Sequence, residues 1–239
     1  MRKVIRNGVP AEIRAVIFDM DGVIFDSERG VYECWKELER KYGFGNVDEP
    51  YKKSIGVSWA QTKENMLEHY GPDFPYDVYR QEQSRMYHER FDNGRLPMKP
   101  GIRELLEFLK EKGLKTAVAS STRQEVVRNQ IRDAHLLSFF DELISGDMVT
   151  HSKPDPEIFL TAAKAIGVSP ENCVVIEDAF SGIRAAFAAG MIPLMVPDLL
   201  EPDDEMREKA AAVLPDLLAV KDWLASDEDL TEKWPKNNG

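Results

Sequence analysis

The chain has 239 residues, 43% hydrophobic and 9% aromatic, enough to build a sizeable core and unlike a disordered polymer. Its 15 glycines and 14 prolines are too few for a collagen-like or low-complexity chain. Against 31 basic residues stand 42 acidic ones, a net charge of −11. That field opposes nucleic acid and anionic membranes, so an anionic ligand would need a locally built positive pocket.

The length admits one large domain or two unequal ones. Residues 1–14 are basic but lead into no apolar stretch of signal-peptide length, and no apolar run approaches the roughly 18 residues of a membrane span. Cys34 and Cys173 lie far apart and read as reduced buried thiols. These features predict a soluble, cytoplasmic protein.

Short apolar runs of strand length then alternate with amphipathic stretches. The runs fall at 15–18, 115–119, 142–144 (the weakest), 173–176 and 191–196. Uninterrupted runs of this kind suit strands buried on both faces of a parallel sheet. Helical spacing occupies 102–112, 124–133, 157–166 and 182–189, with Gly113, Gly167 and Gly190 just beyond three of these ends. The alternation predicts an α/β fold with a doubly wound, Rossmann-like parallel sheet. Residues 29–95 break the rhythm with three helix-like stretches, 31–42, 59–70 and 78–91, and no convincing strand. So long an interruption predicts a small α-helical cap domain, inserted into a core made of 1–28 and 96–239. The charged tail from Ser226 is expected to fray.

The strongest local signal is Val16-Ile17-Phe18-Asp19-Met20-Asp21-Gly22. It sets two carboxylates just past a buried strand, at the sheet edge where open α/β folds bind ligands. Neighbouring carboxylates repel, so they need a metal, a shared proton or different tasks; a solvated acidic turn is the plain alternative. A second apolar strand runs into Glu177-Asp178. If the two strands are parallel neighbours, Asp19 and Asp178 converge on a hard-oxygen site suited to magnesium. Glu177 and Asp178 could instead cap the following helix. Ser120 ends another strand, with Ser121 and Thr122 at a helix mouth where hydroxyls and backbone N–H groups can hold phosphate, or can simply cap the helix. Lys153, stiffened by Pro154 and Pro156, would be the local positive charge if it is held beside the carboxylates, and a solvated surface lysine if not.

Asp19-Met20-Asp21-Gly22-Val23, Ser120, Ser152-Lys153-Pro154 and Glu177-Asp178 occur in the order and rough spacing of the four motifs of the haloacid dehalogenase-like superfamily. The stretch 18–28 and the helical insertion resemble the branch that includes beta-phosphoglucomutase, phosphoglycolate phosphatase and sugar-phosphate phosphatases. The resemblance implies a hydrolase acting on phosphoric monoesters. Asp19 would be the nucleophile that forms an aspartyl phosphate, and Asp21 the acid and then the base. Mg2+ would be held by Asp19, the Asp21 carbonyl and Asp178, with Glu177 as a further ligand or as support. Ser120, Ser121 and Lys153 would hold phosphoryl oxygens. Asp21 sets the chain apart from the dehalogenase and phosphonate-cleaving relatives, and Lys52 and Lys53 read as solvated rather than as Schiff-base lysines.

Within that branch the cap of the mutase resembles this one at a Gly-Val-Ser-Arg segment, whose arginine grips a second phosphate. Here the segment is Gly56-Val57-Ser58-Trp59, and Val31 stands where that relative has a cap histidine. An indole cannot supply a guanidinium's fork and charge, so the expected function is a phosphatase for a small phosphorylated metabolite, a sugar or polyol phosphate. Trp59 is a candidate substrate contact or simply cap core. A mutase is the alternative, and a catalytically idle metabolite- or partner-binding relative is the reading from another class. The four histidines show no metal-ligand spacing, and a monomer is expected.

Overall fold

The computed structural model describes residues 3–6, 9–57, 59–226 and 230–231, with backbone alone at 3–6, 9–11, 59, 230 and 231. The chain opens with a hairpin of β1 (Lys3–Arg6) and β2 (Val9–Glu12), antiparallel with Lys3 opposite Glu12. It then enters β3 (Ala15–Phe18), leaves through four helices, and returns to alternate helix with strand. The four are α1 (Ser27–Tyr42), α2 (Asp48–Lys52), α3 (Trp59–Tyr70) and α4 (Tyr76–Phe91). The return runs α5 (Ile102–Glu111), β4 (Lys115–Ser120), α6 (Gln124–Asp133), β5 (Glu142–Ser145), α7 (Glu157–Ile166), β6 (Cys173–Glu177), α8 (Phe180–Ala188) and β7 (Ile192–Met195). Four short elements close it: α9 (Asp204–Lys209), β8 (Ala212–Val213), α10 (Leu217–Ala225) and β9 (Leu230–Thr231).

The main sheet has six parallel strands in the order β5-β4-β3-β6-β7-β8. The apolar runs of the sequence are its five longer strands, and β8 adds a two-residue edge. Period-two alternation divides the core between two faces. Val16, Phe18, Val118, Val174 and Ile176 meet Leu105, Leu109, Ile131, Val220 and Leu224 of α5, α6 and α10. On the other face Ala15, Ile17, Ala119 and Val175 meet Phe159, Ala162, Ala185 and Ala186 of α7 and α8. After β3 the chain builds first toward β5 and then crosses to β6, so the winding reverses beside β3, where ligands bind in such folds.

Among the described residues 29–95 hold helices and no strand. They enclose their own apolar cluster, in which Trp35 stacks on Tyr76 with ring centroids 5.9 Å apart and Cys34, Leu38, Val47 and Met66 fill the remainder. The segments joining this cap to the core run side by side: Phe25 bridges Met98 antiparallel, Asp26 N–H donates to the Pro97 carbonyl and Lys99 N–H to that of Ile24, each at 2.9 Å.

The end of the chain departs from the expected fraying at one place. Leu230 and Thr231 pair in parallel with Val4 and Ile5, making a second sheet of order β2-β1-β9. Most of the remaining tail, 227–229 and 232–239, lies outside the described residues. Both cysteines are buried and unpaired with one another, as expected.

Trp35 is 1% exposed at the centre of the cap cluster. Truncating it to alanine should destabilise the chain by about 3–5 kcal/mol, the usual cost of emptying a large aromatic site. Chemical unfolding of Trp35→Ala checks this, and a change below about 1 kcal/mol would mean the cap has no packed core of its own.

Candidate active site

Parallel pairing sets Phe18 level with both Val118 and Ile176, so the residues just past β3, β4 and β6 emerge on one rim. Asp19 N–H still donates to the Ile176 carbonyl at 3.0 Å, which carries the ladder one residue past the strand. The chain then coils tightly, with Ile24 and Phe25 N–H both directed to the Met20 carbonyl. Gly22 makes this possible: its φ is +82°, and a Cβ there would lie 2.2 Å from Asp178 Oδ2. A glycine thus brings the two acidic loops together.

Lys153 reaches this rim from the turn before α7. That turn is fixed by Glu157, whose carboxylate accepts the backbone N–H groups of Thr150 and His151 at 2.9 and 2.8 Å, and by Asp155, which accepts that of Glu157. The His151, Asp155 and Glu157 cluster is therefore accounted for as turn structure. Lys153 Nζ donates to Asp19 Oδ1 at 2.5 Å, Glu177 Oε1 at 2.8 Å and the Ala119 carbonyl at 3.1 Å, and stands 4.8 Å from the centre of the Phe159 ring. Its side chain is 5% exposed. Burial disfavours its charge, but Asp19 and Glu177 more than offset this and hold it charged.

Glu177 bends back on itself: Oε2 accepts the N–H groups of Asp178 and Ala179 at 2.9 and 2.8 Å, and Oε1 accepts from Lys153. Gly182 leaves room for that bend, since a Cβ there would fall 1.6 Å from Oε1. Both oxygens are engaged, so Glu177 holds Lys153 and closes its own loop.

Asp21 is held differently. Ser27 Oγ donates to Oδ1 at 2.7 Å, and Thr122 Oγ1 and Ser120 Oγ approach Oδ2 at 3.0 and 3.4 Å. Ser120 is fully buried and accepts the Thr122 N–H, whereas Ser121 is exposed beside it. Neither caps α6. Asp147 accepts the Gln124 N–H at 3.0 Å and is itself held by Ser145 at 2.7 Å. The side chain of Trp59 lies outside the described residues. Ser27 was not singled out from the sequence, and Thr122 was read there only as a phosphate holder or helix cap; the sequence carries no sign that either would meet Asp21.

The carboxyls are crowded. Burial, together with the charges of Glu177 and Asp21 and against the pull of Lys153, pushes Asp19 up to about 8. Burial first, then Glu177 and Asp19, pushes Asp178 well above the ordinary carboxyl range. Among the described residues no lysine or arginine pairs with Asp178. Asp19, Asp21 and Asp178 thus offer only hard oxygens with one lysine between them, a donor set that fits a divalent cation such as Mg2+.

A parallel α/β sheet with acidic loops at its winding reversal and a helical cap above them defines a class of phosphate-handling enzymes. Residues 13–190 match the haloacid dehalogenase-like hydrolase family, and the chain belongs to it. It is 34% identical over 183 residues to the phosphorylated carbohydrates phosphatase of Thermotoga maritima, covering 75% of this chain and 82% of that one. It is 33% identical over 196 residues to the beta-phosphoglucomutase of Bacillus subtilis, covering 77% and 83%. Among solved structures, a beta-phosphoglucomutase from Clostridium difficile superposes with a TM-score of 0.68 at 28% identity, over 86% of this chain and 92% of that one. The expected family, fold class and enzyme class are met. Among the described residues no helix is long and apolar enough to cross a membrane.

The raised carboxyls carry a linkage prediction. An acid whose folded value lies above its unfolded one stabilises at low pH, and that contribution is lost as pH rises, here between the ordinary 3.8 and about 8 for Asp19. Chelator-stripped protein should therefore melt at falling temperature from about pH 5 to about pH 8, and added Mg2+ should raise the melting point more at the upper end of that range than at the lower. Asp178→Asn should be the more stable stripped protein at the upper end and respond little to Mg2+. A Mg2+ shift that is the same at both ends would contradict the assignment.

Proposed function

We propose that the chain is a magnesium-dependent phosphatase that hydrolyses a small phosphorylated metabolite, a sugar or polyol phosphate, through an aspartyl phosphate. The observation that carries this reading is the unequal treatment of the two carboxylates. Asp19 is fixed by the Lys153 cation, whereas Asp21 is held by neutral hydroxyls. Lys153 works against the burial that raises Asp19, and a bound divalent cation would add to that pull, as a nucleophile requires; Asp21, whose side chain pairs with no lysine or arginine among the described residues, is left to serve as acid and base.

In the first step an Asp19 oxygen attacks phosphorus, the bond to the leaving alcohol breaks, and Asp21 donates its proton to that oxygen. In the second, Asp21 takes a proton from water, whose oxygen attacks the same phosphorus and releases inorganic phosphate and free Asp19. Ser120, Ser121 and Lys153 orient the phosphoryl oxygens, and Glu177 holds Lys153. A divalent cation, held by the side chains of Asp19 and Asp178 and the Asp21 carbonyl, would neutralise charge and polarise the phosphoryl group. The cap we assign to 29–95, over a core of 1–28 and 96–239, closes on the leaving group and limits bulk water.

The likeness to a carbohydrate-phosphate phosphatase supports this substrate class. The comparable likeness to a beta-phosphoglucomutase favours a second reading, in which the aspartyl phosphate passes to a sugar hydroxyl instead of water.

Purified protein with Mg2+ should release phosphate from members of a hexose and hexitol phosphate panel. Asp19→Asn should abolish turnover and Asp21→Asn should lower kcat by about 10²–10⁴. Ser27→Ala, which frees one oxygen of Asp21, should cost on the order of tenfold, consistent with one hydrogen bond to a charged group. No turnover of any ester would refute the phosphatase; glucose 6-phosphate formed from β-glucose 1-phosphate without phosphate release would make it a mutase.

A further inference from the structure

Lys99 stands just past the segment that returns from the cap, and its Nζ donates to Asp198 Oδ1 at 2.7 Å. Asp198 sits in the loop after β7, with its side chain 3% exposed. The same Nζ lies 3.6 Å from Asp26 Oδ1, on the segment that leads out to the cap. One lysine thus touches both connections and a core loop. The next residues of that loop, Leu199 and Leu200, lie against the apolar cluster of the cap.

The charge of Asp198 also bears on Glu28 of the cap-side helix and on Asp178 of the acid loop. Glu28 lies in the first turn of α1 and is held by the Tyr51 hydroxyl at 2.9 Å. Burial, then Asp21 and Asp198, push Glu28 up to about 7. Asp178 feels burial, Glu177 and Asp19 first, and then Glu28 and Asp198. The group is poorly arranged as a mere stabiliser. Lys99 is shared between two carboxyls, with the exposed Arg29 3.5 Å from the other oxygen of Asp26, and Asp26 Oδ1 and Asp198 Oδ2 are buried with no hydrogen-bond partner. Buried ion pairs of this kind add little net stability compared with apolar packing, and their best-attested use is to specify one arrangement over others.

We infer that Lys99 and Asp198 are positioning residues: their ion pair fastens both cap connections to the loop after β7 and sets how the cap closes over Asp19 and Asp21. The inference rests on the phosphatase reading for its catalytic consequence, and on the hinge alone for its physical one. A substrate whose leaving group fills the space under the cap needs that setting; a small aryl ester, attacked at its phosphate without cap contacts, does not.

The test compares Lys99→Met, Lys99→Arg, Asp198→Asn and the Lys99→Met/Asp198→Asn double variant in the full chain. The hexose or hexitol phosphate best hydrolysed by the wild type and p-nitrophenyl phosphate serve as substrates, with amide hydrogen exchange at Asp26 and Lys99 as a readout independent of activity. We expect KM for the sugar ester to rise about tenfold in both neutralised variants, with p-nitrophenyl phosphate turnover within about twofold of wild type. Exchange at the two hinge amides should quicken by about tenfold or more, the double variant should be no worse than Lys99→Met, and Lys99→Arg should behave as wild type. Unchanged hinge exchange with unchanged KM overturns the inference, as does an equal loss on both substrates accompanied by a lowered melting temperature. If the wild type hydrolyses no ester, the phosphatase reading fails, and hinge exchange alone decides: quickened exchange at an unchanged melting temperature supports the positioning role, and unchanged exchange removes it.

Discussion

The chemistry of the site is governed by acid crowded onto the rim of one sheet. Parallel pairing of β3 with β4 and β6 obliges the loops at the ends of those strands to meet, and the loops after β3 and β6 bring Asp19, Asp21, Glu177 and Asp178 with them. Buried like charges gathered on one rim cannot all stay ionised without compensation. Lys153 compensates Asp19 and Glu177 by direct contact and leaves Asp178 without a cation among the described residues. The site therefore opposes stability, and the apolar packing on the two faces of the sheet is what holds it in place. Such tension is expected where affinity for a cation and a phosphate, rather than stability, has to be large.

The neighbours then separate the roles. A buried cation 2.5 Å from Asp19 and a pair of hydroxyls on Asp21 are different environments two residues apart in the chain. The tight coil at Gly22 creates the difference, turning the backbone so that Asp21 faces Ser27 and Thr122 while Asp19 stays in line with the strand. Glu177, adjacent to Asp178, is likewise diverted: its own loop's backbone amides and Lys153 occupy it. Asp19, Asp21 and Glu177, acids of one formal charge, thus acquire distinct environments from their local partners.

Much of this was legible in the sequence because burial on both faces of a parallel sheet writes an unbroken apolar run. The helices 124–133 and 157–166 were read with their observed bounds, since an apolar stripe marks each and Gly167 closes the second. The short elements were not. β8 has two residues and α2 five, too few for any period to show. The hairpin of β1 and β2 carries charge and proline rather than an apolar run, and its pairing with Leu230 and Thr231 joins opposite ends of the chain. The motif acids could be placed by spacing, but the bonds of Ser27 and Thr122 to Asp21 could not, because a serine or threonine near a turn has many local uses. Lys99 and Asp198, 99 residues apart, are joined only by the fold.

Those core residues also leave the acceptor open. In the proposed mechanism Asp19, Asp21 and Lys153 would make and break an aspartyl phosphate in the same way whether the second nucleophile is water or a sugar hydroxyl, since Asp21 would deprotonate either oxygen. On that mechanism, hydrolysis and transfer would be separated by the cap, through the time water has access and through its hold on the rest of the substrate. The cap touches the acid loop where Ser181 Oγ donates to the Gly56 carbonyl at 2.6 Å, in the segment that leads to Trp59. An indole lacks the charge to neutralise a second phosphate, which favours the proposed monophosphate substrate for a protein of net charge −11 with one buried lysine at its site.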